Sequence, residues 1–285
     1  MINAIFLKHE LEIGEIENLT PGTNAVFRIN DKVIKIFAPI ESGYSTDDDY
    51  FIELSALKHA NDVRITAPLL VCTGSIDDRY LFRYIIMDFI HGQDAEHKLE
   101  LYNTIQKSNF AHKLNKITEK LNAKVTQSKI PLFDLNSCLE SSRWGEFSDS
   151  FCKDRNAFIR SKTFSDFVYT HGDLTGENMI IDDNDDIYII DFADSRIAPH
   201  YYEWPPIIFA LFGCNPTMME AYFGDFHNDE FYKMVTLSLV IHEFGSNILQ
   251  QICALEGISL HTITDISYLK ALLIKSIESG KMKVR

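Results

Sequence analysis

One eight-residue stretch, His171 to Asn178, constrains this chain more than any other part of its sequence. It reads HGDLTGEN and is followed by the apolar run Met179–Ile181, an Asp- and Asn-rich turn, and a second apolar run that ends at Asp191. Two apolar runs joined by turn-forming residues predict a β-hairpin. Because a hairpin brings its two ends together, Asp173, Asn178 and Asp191 are expected to converge on one spot.

Three oxygen-bearing side chains at one spot suit phosphoryl transfer. Mg²⁺ binds carboxylate and amide oxygens and keeps part of its coordination shell for substrate phosphates. A further carboxylate has to face the incoming hydroxyl and accept its proton. A lone His-x-Asp, or a hairpin with an Asp-rich turn, is common by chance, so the joint spacing of the four polar residues carries this hypothesis.

The motif matches a known spacing. H-x-D-L-x-x-x-N followed by D-F is the pattern of the protein-kinase catalytic loop and its metal-binding Asp. Gly172 stands where protein kinases have the Arg of H-R-D, and Ala193 stands where they have the Gly of D-F-G. In this form the sequence resembles the aminoglycoside phosphotransferase and choline kinase branch of the kinase-like fold.

The resemblance implies a role for each polar residue of the motif. Asp173 accepts or orients the proton of the acceptor hydroxyl, and His171 supports the loop by hydrogen bonds. Asn178 and Asp191 hold Mg²⁺, and ATP or GTP is the phosphoryl donor. Positioning and charge neutralisation, not a covalent intermediate, then supply most of the rate.

The N-terminal part of the chain predicts antiparallel strands. Ala25 to Ile29 and Val33 to Phe37 are rich in β-branched residues and flank a turn of the sequence Asn-Asp-Lys. The preceding loop includes Thr23 and Asn24, and the resemblance places it over the nucleotide phosphates. This loop has one Gly and therefore differs from the G-x-G-x-x-G of protein kinases.

Lys35 and Glu53 form a predicted pair. Lys35 lies in mid-strand, as the Lys of V-A-I-K does in kinases. Taken alone it reads as a solvent-facing Lys on the polar side of a strand, but the downstream motif favours contact with the nucleotide phosphates. Glu53 lies in a helical run that follows the acidic start Asp47 to Asp49. It is the candidate carboxylate that orients Lys35, and an exposed helix Glu is the alternative.

A third strand leads to a segment that is similar to the family's hinge. Tyr80 to Met87 predicts the strand, and the sequence Asp-Phe-Ile-His-Gly follows it. By resemblance, backbone groups of Asp88 and Ile90 hold adenine or guanine, and Met87 lines the base pocket. Ordinary core packing is the alternative for Met87.

The remainder of the chain predicts helices. Leu101 to Leu121 has an apolar stripe with helical spacing. Glu203 is expected to support the catalytic loop, because its segment loosely resembles a family segment in which the acid has that role. Trp144 reads as a core residue more readily than as a platform for a sugar ring. Four further helices are predicted at Ile207 to Phe212, Thr217 to Phe223, Asp229 to Ala254 and Ile266 to Ile277.

We therefore predict an α+β, bilobal protein-kinase-like fold. Residues 1–89 form a small N-terminal β-sheet lobe that binds the nucleotide, and residues 90–285 form a larger, mainly helical lobe that carries catalysis and acceptor binding. The length of 285 residues and a hydrophobic content of 46% suit such a globular chain.

Composition excludes several classes of partner. A net charge of -14 argues against a nucleic-acid backbone or an anionic membrane. Five scattered cysteines without a C-x-x-C pair argue against a disulfide framework and a zinc site. No apolar run approaches the length of a membrane span, and the start lacks a signal pattern. A cytoplasmic protein is expected.

The acceptor is the least constrained part of the hypothesis. An aminoglycoside is the first expectation, with antibiotic resistance as its biological counterpart, because the motif family and the acid excess both allow a cationic sugar. Choline-like, amino-alcohol and sugar acceptors stay open. The alternative of another class is a catalytically silent, nucleotide-binding pseudokinase, which the weak phosphate loop and Ala193 favour. Gly172 and the absence of an A-P-E segment disfavour a protein kinase.

Overall fold

The computed structural model describes residues 1–19, 24–43, 46–123 and 129–280. The chain divides into two compact units. The first unit comprises Met1–Gln93, Thr126–Pro131 and Met179–Ser195, and the second comprises Asp94–Val125, Leu132–Asn178 and Arg196–Arg285. A five-stranded sheet in the first unit and a mostly helical second unit confirm the predicted α+β class. The assignment of nucleotide binding to residues 1–89 stays a prediction.

An antiparallel sheet of five strands organises the first unit. The order of the strands across the sheet is β1-β2-β3-β5-β4, so the hairpin partners β2 and β3 lie near its centre. The short strand β1 and the long strand β4 form its two edges. The strands are β1 (Ile16–Asn18), β2 (Ala25–Ile29), β3 (Lys32–Ile36), β4 (Leu70–Asp78) and β5 (Tyr80–Asp88).

Two helices belong to the same unit. The N-terminal helix α1 (Ile2–Lys8) buries Ile5 and Phe6 in one cluster with the sheet residues Ile34 and Tyr84. The longer helix α2 (Thr46–Asp62) follows a 3₁₀ turn at Ile40–Ser42. Burying apolar side chains between helix and sheet is the main favourable contribution to such a core.

The predicted hairpin after the catalytic loop is confirmed. Strands β8 (Met179–Ile181) and β9 (Ile187–Ile189) pair in antiparallel register, with Met179 opposite Ile189. The turn is closed by the Asp182 side chain, whose Oδ1 accepts the N–H groups of Asn184 and Asp186, each at 2.8 Å. Aspartate at this position of a turn bonds the backbone two residues later, which explains why an acidic sequence forms a tight turn here.

The second unit is mostly helical. Its strands β7 (Phe167–Thr170) and β10 (Arg196–Pro199) pair in antiparallel register and frame the catalytic loop in sequence. The short strand β6 (Gln93–Asp94) lies in the sequence at the boundary of the units. The helices are α3 (Ala95–Leu101), α4 (Thr104–Leu121), α5 (Leu135–Glu140), α6 (Asp149–Arg160), α7 (Pro216–Phe223), α8 (Asp229–Ile241), α9 (Gly245–Glu256) and α10 (Ile266–Ser279).

Shorter helical segments complete this unit. There are 3₁₀ turns at Ser142–Trp144, His200–Glu203 and Leu260–Thr262, and a π-helical segment at Pro206–Leu211. Trp144 is 3% exposed and packs against Phe147 and Phe151, so the core interpretation of this Trp is confirmed.

The single helix predicted over Asp229 to Ala254 is wrong, because the chain breaks between α8 and α9. A continuous helix would join the carbonyl of Val240 to the N–H of Phe244. Instead the buried Arg155 donates from Nε and Nη2 to Val240 O, at 3.0 and 2.7 Å, and Phe244 N–H donates to His242 Nδ1 at 3.1 Å. The Val240 carbonyl and the Phe244 N–H, which a continuous helix would pair with each other, are therefore both bonded to side chains instead. The hydrophobic pattern of the sequence gives no sign of these bonds.

Every helix within the described ranges is too short or too polar to span a lipid bilayer.

Candidate active site

The first unit holds a buried cation between two carboxylates. Lys35 Nζ lies 2.7 Å from Glu53 Oε2 and 2.9 Å from Asp191 Oδ1. Lys35 lies on β3, Glu53 on α2 and Asp191 just after β9, so three separate segments supply the cluster. Lys35 and Glu53 are 7% and 2% exposed. The solvent-facing alternative for Lys35 and the exposed alternative for Glu53 are therefore wrong.

Burial and charge act in opposite directions on this cluster. Burial alone lowers the pKa of Lys35, but the carboxylates of Glu53 and Asp191 outweigh it and raise the pKa above its usual range. Burial raises the pKa of Glu53 to about 7, against the pull of the Lys35 ammonium. Lys35 consequently stays cationic and forms ion pairs with the two carboxylates.

Asp191 has an uncommon backbone conformation. Its φ is 57°, in the left-handed region that non-glycine residues seldom adopt and that Asp and Asn tolerate better than most. The hairpin before it is fixed by Thr66, whose carbonyl accepts the N–H of Ile189 at 3.0 Å and whose hydroxyl donates to the Ile187 carbonyl. Uncommon backbone conformations that the surrounding structure holds in place are frequent at functional sites.

The second unit holds the loop of Asp173. Asn178 Nδ2 donates to Asp173 Oδ2 at 2.7 Å and to the Asp173 carbonyl at 2.9 Å. The Asp173 N–H donates to His171 Nδ1 at 3.3 Å, and His171 is fully buried. The imidazole therefore supports the loop from inside, and the Asp173 carboxylate is oriented by the neighbouring amide.

Gly172 adopts a conformation that explains the departure from H-R-D. Its φ is 84°, which glycine adopts without steric cost. Its N–H donates to Glu203 Oε1 at 3.1 Å, and Glu203 is 1% exposed. Burial raises the pKa of Glu203 to about 8, against the effect of the Gly172 N–H. Glu203 therefore contacts the loop backbone, as its sequence context predicted.

A second glycine lets the loop pack against helix α3. The carbonyl of Gly176 accepts the N–H of Ala95 at 3.1 Å, in the first turn of that helix. A Cβ on Gly176 would lie 2.9 Å from the Cα of Glu96, which is closer than real side chains come. The loop thus needs glycine at 176, a requirement that the motif alone does not express.

An aromatic stack lies behind the Glu203 segment. The rings of Tyr202 and His242 are stacked, with centroids 4.4 Å apart, and the N–H of Glu243 donates to the Tyr202 hydroxyl at 2.9 Å. Burial lowers the pKa of His242 to about 3, so this ring is neutral. The break between α8 and α9 provides both contacts, and helical periodicity alone could not have predicted them.

The other residues predicted to bind the nucleotide, at its base or at its phosphates, differ in burial and in hydrogen bonding. Asp88 N–H donates to the Leu69 carbonyl at 3.0 Å, so that donor is already used. Met87 pairs with Val33 across the sheet and is partly buried, as Ile90 is. Asn24 is 6% exposed, and its Oδ1 accepts the Ala38 N–H at 3.3 Å. Thr23 lies outside the described residues.

Each of the two predicted metal ligands, Asn178 in the second unit and Asp191 in the first, carries an oxygen of the kind that a hard divalent cation binds. Asn178 uses its Nδ2 for Asp173, which leaves the amide oxygen to face another group. Asp191 uses Oδ1 for Lys35, and its side chain is 48% exposed. Carboxylate and amide oxygens are what Mg²⁺ binds. In the described ranges no three His, Cys, Asp or Glu side chains gather to hold a metal.

The Lys–Glu–Asp cluster, the hairpin and the five-stranded sheet define a protein-kinase-like fold. No protein-family model matches the sequence, and no curated protein matches it. Solved structures do match, with coverage of nearly the whole chain.

Aminoglycoside phosphotransferases are among these structures. The GDP complex of wild-type aminoglycoside 2'-phosphotransferase-IIIa is 17% identical, covers 98% of this chain and 97% of its own, and has a TM-score of 0.64. ADP-bound aminoglycoside phosphotransferase APH(2'')-Ib is 15% identical, with 96% and 98% covered and a TM-score of 0.61.

A choline/ethanolamine kinase family protein from Mesorhizobium loti is also similar. It is 14% identical, with 92% of this chain and 87% of its own covered and a TM-score of 0.52. At these identities the likeness establishes the fold. The predicted kinase-like fold, in the form shared by aminoglycoside phosphotransferases and choline kinases, is confirmed.

Proposed function

We propose that this protein is a small-molecule kinase that transfers the γ-phosphoryl group of ATP or GTP to a hydroxyl of its acceptor. The observation that carries the proposal is the buried Lys35 held by Glu53 at 2.7 Å and Asp191 at 2.9 Å. Burying an ammonium costs free energy unless a carboxylate pairs with it, and a strand Lys paired with a helix Glu is the ion pair that kinases use at the nucleotide phosphates. The HGDLTGEN loop supports the same proposal.

The reaction assigns one task to each group. The acceptor oxygen forms a bond to the γ-phosphorus, the bond from that phosphorus to the bridging oxygen of the β-phosphate breaks, and ADP or GDP leaves. Asp173 takes the proton of the hydroxyl, and Asn178 holds the Asp173 carboxylate in place by a 2.7 Å hydrogen bond. Lys35 offsets charge on the phosphates.

Mg²⁺ is the implied cofactor, with Asp191 and Asn178 as its protein ligands. When bound, it neutralises charge that develops on the phosphates. His171 and Glu203 support the loop and stay outside the reacting atoms, since both are buried and bonded to loop backbone. Asp88, Ile90 and Met87 are the proposed contacts of the base, with Asn24 and Thr23 beside the phosphates.

An aminoglycoside is the proposed first acceptor. The net charge of -14 suits a cationic substrate, and two of the structural neighbours are named as aminoglycoside phosphotransferases. Amino alcohols and sugars are the other acceptors to examine, because a choline/ethanolamine kinase family protein shares the fold. A cytoplasmic site of action and a role in antibiotic resistance belong to the same proposal.

A coupled turnover assay with Mg-ATP and Mg-GTP tests the proposal. The acceptor panel contains aminoglycosides, amino alcohols and sugars, and Asp173→Ala is the control. We expect acceptor-dependent ADP or GDP release that falls about 10²- to 10⁴-fold in the variant, together with a phosphorylated product by mass spectrometry. Failure to bind either nucleotide in the presence of Mg²⁺ would overturn the kinase assignment.

A further inference from the structure

Helix α2 presents a second acid on the face that carries Glu53. Asp49 precedes Glu53 by four positions, which places both side chains on one face of the helix, one turn apart. The Glu53 carboxylate lies 2.7 Å from Lys35 Nζ, so this face is directed at the Lys35 cluster. Asp49 is partly buried, in contrast to the exposed Asp48 before it.

The charges of the cluster reach Asp49. Burial raises the pKa of Asp49, the Lys35 ammonium lowers it, and the carboxylates of Asp48 and Asp191 raise it. Asp49 in turn raises the pKa of Glu53. Asp49 therefore lies within electrostatic range of all three members of the cluster, and all four residues belong to the first unit.

The charge of this group is unbalanced. The three carboxylates of Asp49, Glu53 and Asp191 contribute -3 and the Lys35 ammonium +1, which leaves -2 when all are ionised. The phosphates of a nucleotide are strongly anionic as well. Like charges repel appreciably in a partly buried site, so a bare nucleotide is disfavoured here and a divalent cation relieves the repulsion.

We propose that Asp49 is an electrostatic positioning residue that makes nucleotide binding by this protein depend on a divalent cation. The proposal rests on the kinase function proposed above. In this proposal Asp49 acts through its charge on the Lys35 cluster and not as a metal ligand. The Lys–Glu pair alone does not require this acid, because Glu53 already neutralises Lys35.

The test measures nucleotide binding and needs no turnover. The dissociation constant of a fluorescent ATP analogue is measured in excess MgCl₂ and in EDTA, at about pH 8, above the pKa of about 7 of Glu53. The metal dependence is the ratio of the EDTA value to the MgCl₂ value. The variants are Asp49→Asn, Asp49→Lys and the matched control Asp48→Asn, which removes the same charge one position earlier, about 100° around the helix.

We expect Asp49→Asn to lower this ratio about three- to tenfold, chiefly by tighter binding in EDTA. Asp49→Lys should lower it further, and Asp48→Asn should stay close to wild type because its charge is exposed and screened. Thermal unfolding without nucleotide verifies that each variant is folded. If Asp49→Asn and Asp49→Lys keep the wild-type ratio, the inference is overturned and the kinase function stands. If wild type binds nucleotide under neither condition, the proposed function itself fails.

Discussion

The N–H of Gly172 donates to Glu203 Oε1 at 3.1 Å, and this bond connects the catalytic loop to a 3₁₀ turn 31 positions later in the chain. Glu203 is 1% exposed, and burial raises the pKa of its carboxyl to about 8. Between its ordinary pKa of 4.5 and this value, the folded state holds a proton that the unfolded chain releases. The folded state therefore loses stability through this group as the pH rises over that interval.

Glu203→Gln should flatten the dependence of stability on pH. Glutamine keeps an oxygen for the Gly172 N–H but does not titrate. From about pH 5 to pH 8 the melting temperature of wild type should fall by about 3–6 °C more than that of the variant. Thermal unfolding followed by circular dichroism in a pH series measures this difference. Parallel curves for the two proteins would show that Glu203 does not take up a proton on folding.

Lys35→Met should destabilise the first unit, because Glu53 then stays buried without its cation. Breaking a buried ion pair costs about 3 kcal/mol or more. The double variant Lys35→Met/Glu53→Gln removes the unpaired carboxylate, so it should regain at least half of the loss. Urea unfolding at about pH 8 gives the four free energies of a double-mutant cycle. Additive effects in this cycle would contradict a direct interaction of Lys35 with Glu53.

Gly176→Ala should disturb the catalytic loop, since its Cβ would lie 2.9 Å from backbone atoms of Glu96. Overpacking of this kind costs about 1–3 kcal/mol. Turnover should fall more than stability suggests, because the shift occurs beside Asp173. Gly145→Ala is the matched control: Gly145 has a right-handed helical conformation, and the nearest atom to its Cβ is Ser142 O at 3.2 Å. Equal losses of turnover and stability in the two variants would show that the close packing at Gly176 is not the cause.

Arg155→Met should destabilise the second unit, since Arg155 is 2% exposed and donates to the carbonyls of Val240 and Cys138. Leaving these carbonyls unsatisfied costs about 2–3 kcal/mol. The exposed Arg160 lies on the same helix, and Arg160→Met should change the free energy of unfolding by less than about 0.5 kcal/mol. Chemical denaturation of both variants provides the comparison. A stable Arg155→Met protein would mean that another group separates α8 from α9.

The sequence predicted the parts of this fold whose signals are local. Hydrophobic periodicity and turn residues predicted the hairpin of β8 and β9 and the strands β2 and β3. Motif spacing predicted that Lys35 faces Glu53. The break at His242 could not be predicted, because it depends on Arg155, which lies 85 positions away from Val240. Amphipathic periodicity continues through the break and carries no information about it.

In the candidate site, too, some contacts could be predicted from the sequence and others could not. The contact of Lys35 with Glu53 agrees with the predicted pair, whereas the contact of Lys35 with Asp191 had not been predicted. From the sequence, Asp49 is only part of an acidic helix start, and its position gains a further meaning once Glu53 is known to face the cluster. The Asn24 side chain was assigned to phosphates by resemblance, whereas the structure also gives it a backbone partner, Ala38 N–H at 3.3 Å.

The left-handed backbone of Asp191 restricts how this chain can lose its proposed activity by mutation. At a φ of 57° Asn and Gly fit with less backbone strain than most other residues do. Substitution by Asn or Gly removes the carboxylate but leaves the hairpin intact, and the genetic code reaches either from Asp by one nucleotide change. Most other substitutions remove the carboxylate and also add backbone strain. Among folded descendants of this chain that have lost catalysis, Asn and Gly should therefore be more frequent at position 191 than other residues.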